Sequence, residues 1–181
     1  MGAGGPPINT GNPEYQAALQ EYFKQLGQAA LKGRAEHERA KTEKAVELVK
    51  KCQPQEHDPT NPKGYFAREI RIELQEILNL PPEEWDNVKY YIARGEPQTT
   101  PLDKMGIDDF IEYEDKKNNK THRVTIDLTT RPQKLEHKAD IIVFNKDLGD
   151  PDDESYHGNI SRYGNLILEK ITQQDNPRLP A

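Results

Sequence analysis

Apolar residues recur every three or four positions through the first half of the chain and every second position through parts of the second half. Tyr15, Leu19, Tyr22, Phe23, Leu26 and Ala30 form one helical stripe. Asn12-Pro13-Glu14 supplies its start: a capping side chain, a proline in the first turn, and an acid at the positive end. Gly33 marks an interruption. The continuation, RAEHERAKTEKAVELVKKC, is rich in helix formers and keeps a narrower face of Ala45, Val46 and Val49. QPQEHDPTNPKG, polar and proline-rich, is a loop. Asn61-Pro62 repeats the cap-plus-proline start, and Phe66, Ile70, Leu74, Ile77 and Leu78 make the clearest stripe of all. PPEEW reads as a short helix or turn. NVKYYIA reads as helical, although Val88, Tyr90 and Ile92 alternate, and GEPQTTPLDKM is a loop.

Beyond it the period shortens to two. Strands are expected around Ile107–Ile111, Val124–Leu128 and Ile141–Phe144, with EDKKNNK as the turn between the first two. DLGDPDDESYHGN is an acidic loop, and ISRYGNLILEKITQQ a strand or short helix. The expected fold is α+β: N-terminal helices followed by a small mixed β-sheet flanked by helices. It divides into a disordered tail over 1–11, a helical extension over 12–52, a core over 61–172 and a second tail over 173–181.

Composition narrows the chemistry. With 181 residues, 33% hydrophobic and 31% charged, the chain suits one polar domain with a modest core. No segment is apolar enough to span a bilayer, and the first residues lack a basic-then-apolar leader. Pro6 and Pro7 replace the Ser or Thr of a myristoylation signal. Cys52, alone, can form neither an internal disulfide nor a cysteine-built zinc site. A cytoplasmic protein without membrane partners is expected. The net charge of −6 argues against indiscriminate nucleic-acid binding, so a basic face would have to be assembled from distant residues.

Chemistry concentrates in the hairpin. In RVTIDLTT, Arg123, Thr125, Asp127 and Thr129 share one strand face, while Val124, Ile126 and Leu128 share the other. Antiparallel pairing through EDKKNNK would bring Asp127 to Asp108, which follows Gly106-Ile107. Two adjacent carboxylates repel unless a cation lies between them. Hard oxygen ligands suit Mg²⁺ or Mn²⁺, ions that activate water for phosphodiester cleavage.

LDKMGIDDFIEY followed by HRVTIDLTT resembles the core of the PD-(D/E)XK, or restriction-endonuclease-like, nuclease superfamily. The resemblance covers roughly residues 63–145. It implies a restriction-endonuclease-like core and metal-dependent hydrolysis of DNA. Asp108 and Asp127 would be metal ligands, and a helix glutamate, Glu69 or Glu73, would complete the site. Thr129 stands where the superfamily keeps its catalytic lysine, so Lys134 or Lys138 would have to replace that group. Phosphate contacts are expected from Arg123, Arg131, Lys116, Lys117 and Lys120. Two other readings fit the same residues. One is a catalytically inactive module binding nucleic acid or protein; the other is an assembly factor that forms homo-oligomers through its N-terminal helices.

Overall fold

A computed structural model describes residues 5–130 and 138–176 of the chain. Near its start, β1 (Ile8–Asn9) pairs in parallel with β3 (Gly95–Glu96), and Ile8 is buried. Part of the stretch read as a disordered tail is therefore built into the fold. α1 (Pro13–Ala30) starts as its sequence predicts, with the Asn12 side chain accepting from Glu14 N at 2.9 Å. Gly33 separates it from α2 (Arg34–Lys51) at φ 121°, a conformation that a Cβ resists. α3 (Tyr65–Ile77) begins later than the Asn61-Pro62 signal suggests. Asp58 takes Thr60 N and Thr60 Oγ1, both at 2.8 Å, and the resulting turn holds that stretch out of the helix.

A 3₁₀ turn over Pro82–Asn87 leads into β2 (Val88–Ile92), which corrects the helical reading of NVKYYIA. The alternation of Val88, Tyr90 and Ile92 prevails because β4 (Asp109–Asp115) pairs antiparallel beside it. The single-turn helix α4 (Pro101–Lys104) precedes β4. β5 (Lys120–Thr129) pairs antiparallel with β4, and β6 (Ile141–Phe144) pairs parallel with β5, giving the order β2-β4-β5-β6. The last acidic stretch and ISRYGNLILEKITQQ join in one 22-residue helix, α5 (Glu154–Asp175), which buries Tyr156, Ile160, Tyr163, Ile167 and Ile171. The fold is α+β, a small mixed sheet flanked by helices. No described helix is long and apolar enough to cross a membrane.

Period-two alternation gives the sheet two different faces. On one, Tyr90, Ile111, Val124 and Ile126 pack with Phe66, Ile70 and Leu74 of α3 and with the buried stripe of α5. On the other, Tyr91 and Phe110 meet Tyr15, Tyr22, Val46 and Val49 of α1 and α2. The stripes of the N-terminal helices are thus used within the chain's own core.

The outer edge of β2 is closed by its own chain. Val88 N donates to Trp85 O, and Val88 O accepts from Arg71 Nε at 2.7 Å. Tyr90 N donates to Pro59 O at 2.9 Å, and His57 Nε2 meets Tyr90 O at 2.8 Å. Gln53 grips Ile92 at both N and O. Burial lowers the His57 pKa and so favours the neutral ring.

Candidate functional site

The turn before β4 is built to deliver Asp108. Thr100 caps α4, accepting from Asp103 N at 3.1 Å, and Gly106 turns the chain at φ 77°. Asp108 then enters between β5 and the extension of β2. Its N donates to Ile126 O at 2.9 Å, and its O accepts from Ala93 N and Arg94 N at 2.8 and 3.0 Å. The β4–β5 register ends at Asp109 opposite Ile126, and because Asp108 N also donates to Ile126 O, Asp108 is an extra residue at the end of the ladder, with Asp127 next along β5. Asp127 belongs to the sheet face that carries Phe110, Glu112, Arg123 and Thr125.

The Asp108 carboxylate accepts from Leu128 N at 2.8 Å through Oδ2. Burial pushes its carboxyl up to about 6, the Leu128 bond opposes this, and the charges of Asp109, Asp127 and Asp103 add to the rise. Asp127 is 2% exposed. Such carboxylates gain from a nearby cation. Mg²⁺ keeps several waters and needs only one or two carboxylates, so the donor set fits that ion. Among the described residues, no three His, Cys, Asp or Glu side chains are grouped to hold a metal.

The remaining expected site residues are dispersed. Thr129 is buried at the end of β5 opposite Phe144, on the same face as Asp127. Lys138 is exposed, three residues ahead of β6. Lys134 and Arg131 lie outside the described residues. Glu69 sits on α3, which packs on the sheet face opposite that of Asp127, and its Oε1 is held by Arg68 at 2.8 Å. Glu73, on the same helix, packs where a Cβ on Gly164 would meet it. The hairpin lysines stand at the far end of the strands. From Lys120 to Asp127 the strand runs about 23 Å, and Lys120 is paired with Asp175 at 2.7 Å.

Three features escape a reading of the sequence. Asp109, fully buried, takes the Tyr90 hydroxyl at 2.8 Å and Arg94 Nε at 3.3 Å. Its burial pushes the carboxyl up to about 6 against the pull of Arg94. Asp140 accepts from both N and Oγ1 of Thr125, at 2.8 and 2.7 Å, tying the start of β6 to β5. Glu112, wholly buried, is gripped by Arg123 and by Lys50 of α2. The only sequence signal for these pairs was the presence of charge inside apolar strands.

Comparison with protein-family models, curated proteins and solved structures returns no match.

Proposed function

We propose that the chain is a metal-dependent nuclease acting on DNA, with Asp108 and Asp127 as the ligands of a Mg²⁺ or Mn²⁺ ion. The observation that carries this reading is the closeness of Asp108 to Asp127 on neighbouring strands: Asp108 Oδ2 accepts from Leu128 N, the residue after Asp127, and the charge of Asp127 adds to the burial that raises the Asp108 carboxyl. The strand order, with the two acids on neighbouring strands and helices on both sides, supports it. A bound ion would lower the pKa of a coordinated water and offset charge on a phosphate. The chain's own part is to hold the Asp108 carboxylate close to Asp127. The Leu128 N–H fixes Oδ2 of Asp108, and the backbone of Ala93 and Arg94 fixes the peptide behind it.

Incubation of the purified chain with supercoiled and branched DNA tests this reading. Cleavage is expected with Mg²⁺ or Mn²⁺ and none with a chelator. Asp127→Asn should slow it by about 100-fold or more with the fold intact by circular dichroism. Full cleavage by that variant would remove Asp127 from the site.

Thr129 favours a second reading, since a neutral side chain occupies the lysine position. A non-catalytic nucleic-acid-binding module on the same scaffold would show salt-sensitive DNA affinity without metal-dependent turnover.

A further inference from the structure

Glu112 is a carboxylate that the solvent does not reach, at 0% side-chain exposure. Burying such a charge requires a partner, and it has two. Arg123 donates to Oε1 from Nε and Nη2 at 2.8 and 2.6 Å, while Lys50 donates to Oε2 at 2.6 Å. One anion beside two cations leaves a surplus of one positive charge. The surplus is rigidly placed. Tyr91 and Phe110 stack at 4.9 Å between centroids; Lys50 lies 5.2 Å from the Tyr91 centroid and Arg123 5.8 Å from that of Phe110. Each cation stays about one-third exposed on its outer side, 35% for Lys50 and 32% for Arg123.

Arg123 and Asp127 share a face of β5, four residues apart, so the cation pair lies about 13 Å along the strand from the carboxylate pair. We propose that Lys50 and Arg123 bind a backbone phosphate of the nucleic-acid substrate, one separate from the phosphate at Asp108 and Asp127. This rests on the nuclease reading. A flexible surface lysine loses rotamer freedom when it meets a phosphate. These two side chains are already ordered by Glu112 and the rings beneath them, so more of the electrostatic gain becomes affinity. Glu112 holds the cations and is a positioning residue.

Fluorescence anisotropy of the full chain with a labelled DNA oligonucleotide, in chelator and across a salt series, tests the proposal. Lys50→Met should weaken binding about three- to tenfold and reduce the slope of log affinity against log salt by about 1. Lys50→Arg should restore both. Glu112→Gln keeps an acceptor, adds one net positive charge, and should tighten binding. Thermal melts confirm that each variant is folded. If Lys50→Met and Glu112→Gln both bind as the wild type does, the proposal is overturned, while metal-dependent cleavage lost in Asp127→Asn leaves the nuclease reading in place. If the wild type neither binds nor cleaves DNA, both fall together.

Discussion

Asp108 holds its proton to about pH 6, against an ordinary value of 3.8, because burial outweighs its bond from Leu128 N. The folded chain therefore binds a proton there that the unfolded chain has released. The stability this contributes is present below about pH 4 and is lost as pH rises through about 6. Asp108→Asn removes the titration while its amide oxygen can still accept from Leu128. The variant is expected to melt above the wild type at pH 7.5, and the two should converge near pH 4. A divalent cation should raise the wild-type melting temperature at pH 7.5 and leave the variant's unchanged. Melting scans at both pH values, with and without Mg²⁺, check both statements. That Asp108 comes close to Asp127 was legible in the sequence, because a hairpin brings the ends of its two strands together. The grip of Lys50 on Glu112 was not, since 62 residues separate them and only the packing of α2 on the sheet joins them.

At the level of elements, the three N-terminal helical stripes were read correctly, and β2 and α5 less well. α1, α2 and α3 show continuous apolar faces and clear breaks. β2 was missed because five residues of alternation carry little weight beside a Pro-Glu-Glu start, and its pairing partner lies beyond a loop. In α5 the stripe of Ile160, Tyr163, Ile167 and Ile171 was present, but the glycines within it and the acids before it masked its length. The small β1–β3 ladder could not be read at all: its strands are two residues each. Gly95 shows how tightly that ladder is seated. A Cβ there would lie 2.6 Å from both Gln98 O and Thr10 Cγ2. Backbone cannot swing aside as a side-chain tip can, so Gly95→Ala should cost about 1–3 kcal/mol. Urea unfolding measures the loss, and faster amide exchange at Thr10, whose N–H donates to Glu96 O at 2.7 Å, localises it.

For the whole molecule, the two-faced sheet makes the N-terminal helices part of the core. Removing residues 13–51 would uncover Tyr91 and Phe110 and leave Glu112 without Lys50. The truncated chain should lose cooperative unfolding and near-ultraviolet dichroism, where a detachable oligomerisation arm would leave both intact. One further consequence follows from the closed edge of β2. A sheet edge that accepts no neighbour is a terminator as well as a part of the scaffold. The β2 side has its backbone groups already engaged by Gln53, His57, Pro59, Arg71 and Trp85. A second copy therefore finds no free backbone there to extend the sheet, and edge-to-edge growth into a fibre is blocked from that side.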